Sequence, residues 1–183
     1  MFFLIINIAL LLALVIFLLS FIFHFLSIVL KGQAPYIMSQ PEAVRRAVAE
    51  LDLVQESILA YELGSGDAPF LRRLVKKFPQ ARAMGVEHSL VPYVLAKLVT
   101  LFNKRIEITK KNFYKIDLSQ ADLIYCYLNI DSMAKLEKKF LAEAKDGLLV
   151  VSYNFPLPTV EPYKVLRIHK MPLYFYKISQ DRK

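Results

Sequence analysis

Between residues 58 and 67 the chain reads Ile-Leu-Ala-Tyr-Glu-Leu-Gly-Ser-Gly-Asp. A short apolar run, Ile58 to Leu63, stops at two glycines one residue apart, and an amphipathic helical pattern starts directly after them. Strand, glycine turn and helix together bring a backbone close to a nucleotide-like ligand. An almost wholly apolar strand also needs strand neighbours and helical cover on both faces, which commits the chain to a parallel α/β sheet.

The remaining sequence supplies those partners. Gln40-Pro41-Glu42 opens a helix pattern, with Pro early and an acid in the first turn, and Val44, Ala47, Val48 and Leu51 form its apolar face. Ala68 to Phe78 reads as a helix with Phe70, Leu71, Leu74, Val75 and Phe78 on one side and Arg72, Arg73, Lys76 and Lys77 on the other. Ala81 to Val86 is a second strand, ending at Glu87. Ser89 is placed to cap a helix running to about Phe102, with Leu90, Val91, Val94, Leu95, Leu98 and Phe102 facing inward and Pro92 tolerated in its first turn. Ile106 to Ile108 begins a third strand and Asp122 to Tyr127 forms a fourth. Ser132 to Lys145 is a helix with Gly147 just beyond it, and Leu148 to Tyr153 is a fifth strand. Lys164 to His169 and Leu173 to Ile178, split by Met171-Pro172, are too close for a crossover helix and predict a hairpin.

The first 30 residues contain no Lys, Arg, Asp or Glu, and Phe2 to Leu30 is broken only by Asn7, Ser20, His24 and Ser27. A bilayer core needs about 20 apolar residues, so this stretch is long enough to span once. A signal peptide would have a basic start and an apolar run of about 7–15 residues; this run is longer and lacks the basic start. Lys31, Arg45 and Arg46 follow the run and nothing basic precedes it, which places the rest of the chain on the cytoplasmic or equivalent side. The expected organisation is an anchor over residues 1–30, a linker and helix over 31–56, and a ligand-binding domain over 57–183. Residues 31–183 carry the entire formal charge of +8. The basic pairs Lys76-Lys77, Lys104-Arg105, Lys110-Lys111 and Lys138-Lys139 are scattered and accompany no nucleic-acid motif. The charge reads instead as a solvated face attracted to anionic lipid. The single cysteine, Cys126, lies in an apolar run and reads as a buried small residue, and His24, His88 and His169 are too dispersed for a zinc site.

In an open α/β sheet the ligand lies outside the carboxyl ends of the strands. Gly64-Ser65-Gly66 ends the first strand, Glu87 ends the second 21 residues after Gly66, and Asn112-Phe113 follows the third. A carboxylate at Glu87 can accept both hydroxyls of a ribose. A dinucleotide is disfavoured, because Pro69 stands where the fingerprint needs its third glycine and the acids Glu62 and Asp67 flank the turn. Two carboxylates repel a pyrophosphate and suit a cationic ligand without phosphate, such as S-adenosylmethionine.

These residues resemble the class I S-adenosylmethionine-dependent methyltransferases, whose first motif, an acid followed by x-G-x-G, looks like Glu62-Leu63-Gly64-Ser65-Gly66. More narrowly, Leu63 to Asp67, the apolar N-terminus, Ala34-Pro35-Tyr36 and Val150-Val151-Ser152 leading into Phe155-Pro156-Leu157-Pro158 resemble the membrane-anchored protein-lysine methyltransferases of the FAM173 type and their prokaryotic relatives. The chain departs from that pattern at Ala68-Pro69, where Gly-Arg or similar is usual, at Asn112, where an acid is common, and at Leu128-Asn129-Ile130-Asp131.

The resemblance implies a Rossmann-like sheet, mostly parallel with a C-terminal antiparallel strand, preceded by one transmembrane helix. It also implies S-adenosylmethionine as cofactor and a membrane-associated protein lysine as substrate. Gly64, Ser65 and Gly66 would admit the cofactor's amino-acid end, and Glu62 and Asp67 would offset its charge. Glu87 would hold the ribose, and His88, Asn112 and Phe113 would border the adenine. Tyr127, Asn129, Phe155 and Pro156 would face the reacting amine. Two other readings remain beside it: methylation of a lipid headgroup or small lipophilic molecule, and cofactor binding without catalysis.

Overall fold

Seven strands form one sheet in the order β3-β2-β1-β4-β5-β7-β6. The structure, a computed structural model, describes residues 2–30 and 39–180. The chain falls into two units, Met1–Ile37 and Met38–Lys183. Lys31, Ala34-Pro35-Tyr36 and most of the expected linker lie outside the described residues.

The first unit contains helix α1, Phe2–Leu30, 29 residues long. Its side chains are described without a break only over residues 6–22. Among the described residues no helix is long and apolar enough to cross a membrane, so the expected span over 2–30 is not shown.

In the second unit, helix α2 (Pro41–Ala49) precedes strand β1 (Ile58–Leu63). Helix α3 (Pro69–Lys77) leads to β2 (Ala81–Glu87), and α4 (Leu90–Thr100) to β3 (Ile106–Lys110). A short 3₁₀ turn, Phe113–Lys115, precedes β4 (Leu123–Cys126), and α5 (Ile130–Glu143) precedes β5 (Leu148–Tyr153). Strands β6 (Lys164–Ile168) and β7 (Met171–Ile178) close the sheet. Strands β1 to β5 pair in parallel, β7 runs antiparallel to β5, and β6 pairs antiparallel with β7. Met171 and Pro172 therefore belong to β7, and the hairpin turns at His169, whose φ is +54°.

Strand alternation sorts the core into two layers. Ile58, Ala60, Leu123, Tyr125, Val151 and Tyr153 face the layer that contains α2, α3 and the inner side of α4. Tyr61, Leu63, Ile124, Cys126, Leu148 and Val150 face the other layer with α5. Phe70 of α3 stacks on Tyr125 with ring centroids 4.4 Å apart and planes 9° apart. Full burial of such a ring contributes about 1.5–3 kcal/mol. Lys77 donates to the carbonyls of Val48, Ala49 and Leu51, which satisfies the end of α2 with a cation where the helix dipole favours one.

Three local expectations change. The large side chains of α4 do not face inward: Leu90, Val91, Val94, Leu95, Leu98 and Phe102 are exposed, and Pro92, Ala96 and Thr100 are the buried positions. A helix that is apolar all round gives no periodic sign of which side is in, and here the narrow gap to the sheet takes the small residues. Ser89 stands at the head of α4 without a side-chain cap; its N–H donates to Glu87 instead. Gly147 does not end α5, whose cap is Ala144; with φ +81° it makes the turn into β5, and its N–H donates to Ile178 O.

Candidate active site

The chain enters the sheet at its middle, so β1 and β4 are neighbours whose following connections run to opposite sides. That switch point opens a crevice at the carboxyl edge, the place where ligands bind in such sheets. Gly64, Ser65 and Gly66 line its β1 side. Gly64 has φ +70° and Gly66 φ +54°, conformations that glycine adopts without strain. A Cβ on Gly64 would come within 2.9 Å of Leu128 Cδ2, so the loops after β1 and β4 touch here.

The turn is tied to the end of β2. The N–H groups of Gly64 and Ser65 both donate to Val86 O, at 2.9 and 3.1 Å. Gly66 N–H donates to Glu87 Oε2 at 3.0 Å and Ser89 N–H to Glu87 Oε1 at 2.7 Å. One buried carboxylate thus holds the glycine turn and the head of α4 together. Gly85 makes room for this packing: a Cβ there would lie 2.6 Å from Ile108 Cδ1 and 2.9 Å from Ser65 Oγ. Ser65 Oγ is itself buried and has no hydrogen-bond partner among the described residues.

Past β3, Lys111 N–H donates to Glu87 O, which sets Asn112 beside the Glu87–His88 corner. His88 and Asn112 are exposed, and Phe113 is half-buried against the ring of Tyr114, 4.5 Å away. Asn112 Oδ1 accepts from Tyr114 N–H and caps the 3₁₀ turn. Past β4, Asn129 Oδ1 accepts from Ser132 N–H at 2.9 Å. Asn129 is therefore the cap of α5, and its amide NH2 stays available to a ligand.

An aromatic wall follows. The Tyr127 ring lies 4.8 Å from that of Tyr153 and 6.5 Å from that of Phe155. Ser152 donates to Phe155 O at 2.6 Å, and Asn154, with φ +72°, turns the chain so that Phe155 comes back over the edge. Glu137 of α5 fixes the loop beyond by accepting from Thr159 N–H, Thr159 Oγ1 and Val160 N–H. Pro156 is exposed. Tyr153 was not anticipated from sequence. It is the last residue of β5, it is buried, and its hydroxyl has no hydrogen-bond partner among the described residues. Burial, then the nearby Tyr127, push its pKa upward. The signal lay in the alternation of β5, which turns Tyr153 to the same face as Val151.

Residues 62–164 match the ANTKMT methyltransferase domain, a stretch that runs from the acid before the glycine turn into β6. The chain belongs to that family. A protein-lysine N-methyltransferase from Saccharolobus islandicus (strain REY15A) is 28% identical over 155 residues, covering 81% of this chain and 96% of the relative. An RNA methyltransferase from Salinibacter ruber, solved with S-adenosyl-L-homocysteine, shares the fold with a TM-score of 0.74 at 23% identity. That match covers 80% of this chain and 97% of the other. A precorrin-6y C5,15-methyltransferase from Geobacter metallireducens GS-15 shares it with a TM-score of 0.63 at 12% identity, over 80% of this chain and 92% of the other.

The methyltransferase is thus an S-adenosylmethionine-dependent enzyme of class I. Its donor set fits that cofactor. Ser65 Oγ is an orphaned polar atom in the floor, and Glu87 offers carboxylate lone pairs beyond the two it has used. Residues 62–68 and 87–89 contain no Lys or Arg to hold a phosphate. The two flanking acids differ from the simple picture of paired free carboxylates. Asp67 is bridged by Arg72 at 2.9 Å. Glu62 is only 3% exposed, and Oε2 accepts from Leu71 N–H at the start of α3. Burial pushes its pKa up to about 8 against the pull of the Leu71 and Phe70 N–H groups. Burial thus favours the protonated form of Glu62, and Glu87 is the acid of the floor that accepts two backbone N–H bonds.

Proposed function

We propose that this methyltransferase modifies the side-chain amine of lysine in a protein, and that it does so at a membrane to which residues 2–30 anchor it. The name of the Saccharolobus islandicus relative, matched over nearly its whole length, supports lysine as acceptor. The observation in this chain that carries the reading is the wall of Tyr127, Tyr153 and Phe155 beside the crevice. A lysine ammonium has a pKa near 10.4 and cannot act as a nucleophile. Aromatic, water-poor surroundings disfavour the cation and present the neutral amine.

When bound, S-adenosylmethionine supplies a methyl group on a sulfonium. The chain binds, orients and excludes water. Glu87 keeps lone pairs for ribose hydroxyls, and Gly64, Ser65 and Gly66 receive the amino-acid end, with Glu62 and Asp67 behind them. His88, Asn112 and Phe113 border the base. Tyr127, Asn129, Phe155 and Pro156 guide the incoming amine, and Tyr153 adds a hydroxyl at the back of the wall. Alignment of this kind contributes about 7–11 kcal/mol to a displacement that needs no acid or base in the bond-making step.

The anchor reading rests on α1, a 29-residue helix whose sequence holds no charged side chain. About 20 such residues fill a bilayer core. Lys31, Arg45 and Arg46, which follow α1 in sequence, favour the cytoplasmic or equivalent side for the catalytic unit. Methyl-labelled S-adenosylmethionine, incubated with the full chain and a total membrane fraction, tests the acceptor. Label is expected on lysine in a protein band; label confined to the lipid extract would replace lysine with a lipid amine.

A further inference from the structure

Helix α4 is built inside out. Its buried positions, Pro92, Ala96 and Thr100, are small and recur every fourth residue. The large residues of α4 and of the turn after it point to solvent: Leu90, Val91, Leu98 and Leu101 are more than half exposed, and Phe102 is 96% exposed. No Asp or Glu occurs between Glu87 and Glu107, while Lys97, Lys104 and Arg105 do. Arg105 is held back by the carbonyls of Val75 and Pro79. Lys97 and Lys104 stay exposed beside the apolar face. Monomeric proteins rarely leave such a contiguous apolar patch in water.

We infer that the outer face of α4 lies in the interface of an anionic bilayer, with its leucines, valines and Phe102 among the acyl chains and Lys97 and Lys104 at the headgroups. Charge decides against the other occupants. A second copy in symmetric contact would bring four lysines, and no acid from this stretch, into one interface. The helix has 11 residues and so is about 17 Å long, too little for the roughly 800 Å² per partner of a stable interface. Helix α1 has no acid to meet the lysines. Anionic headgroups meet them, and apolar side chains flanked by lysine are the signature of an interfacial helix. Leu90 is three residues from Glu87, so lipid against α4 brings the catalytic crevice to the bilayer surface. The inference does not depend on what is methylated; it shares with the anchor reading only the presence of a membrane.

Single cysteines at Leu98, Phe102 and, across the sheet on α5, Lys138 would carry an environment-sensitive fluorophore in the full chain. Native Cys126 does not compete, because it is wholly buried. The chain is reconstituted with phosphatidylcholine vesicles, with and without phosphatidylglycerol, containing lipids brominated on the acyl chain. Quenching is expected at 98 and 102 and not at 138, and strongest with phosphatidylglycerol. Lys97→Gln with Lys104→Gln should weaken it about fivefold per lysine. Flotation with the vesicles but equal, weak quenching at all three sites would overturn α4 docking and leave the anchor standing. Shielding at 98 and 102 that is the same without lipid would assign the face to protein. Failure to float with either vesicle would overturn both.

Discussion

Glu62 shows how a motif residue is set by its surroundings. A free glutamate ionises near 4.5, but this one keeps its proton to about 8 because it is buried beneath α3. The unfolded chain releases that proton above about pH 4.5 and the folded chain does not, so the folded state binds more protons across this window. Glu62's contribution to stability is therefore greatest below pH 4.5, falls as pH rises, and levels off above about 8. Glu62→Gln keeps an acceptor for Leu71 N–H and removes the titration. The melting temperature of the cofactor-free variant, followed from pH 5 to 9, should fall less than that of the parent; parallel curves would show that Glu62 is not protonated in the fold. The acid was legible in the sequence as part of the turn, but its protonation was not, because burial depends on Phe70 and Leu71 folding over it.

At the scale of elements, the turn into α3 carries a visible cost. Ala68 adopts φ 58° and ψ 48°, the left-handed region, directly before Pro69. A non-glycine residue there costs roughly 1–2 kcal/mol, and a following proline opposes helical φ/ψ further. A non-glycine residue here takes the conformation that glycine adopts freely. Ala68→Gly should raise stability by up to about 1 kcal/mol, less than the strain relieved because the unfolded chain also gains freedom. A chemical denaturation midpoint that falls would contradict the strain. Strands β1 and β5 were legible to the residue, since buried parallel strands are apolar runs ended by glycine or a turn. The inner side of α4 was not, because apolar residues on every side leave no phase to read. The capping role of Asn129 and the unpartnered hydroxyl of Tyr153 were not legible for a related reason: a cap and a strand's last inward residue are defined by neighbours that only the fold supplies.

For the whole molecule, the sheet order places five strand ends around one crevice, and residues far apart in sequence become one site. Glu87 is its keystone, because it bonds Gly66 and Ser89 and closes the floor before any ligand arrives. Both of its oxygens face N–H donors, so an amide in its place must turn a donor toward a donor. Loss of one such bond costs about 1–3 kcal/mol, and the ribose contact would be lost with it. The most direct measurement is calorimetric titration of the full chain with S-adenosylmethionine, parent against Glu87→Gln, with near-UV circular dichroism to verify that both are folded. A folded variant that binds about 10–100-fold more weakly is the expected result. A folded variant that binds as tightly as the parent would contradict the assignment of the cofactor to the carboxyl edge at Glu87.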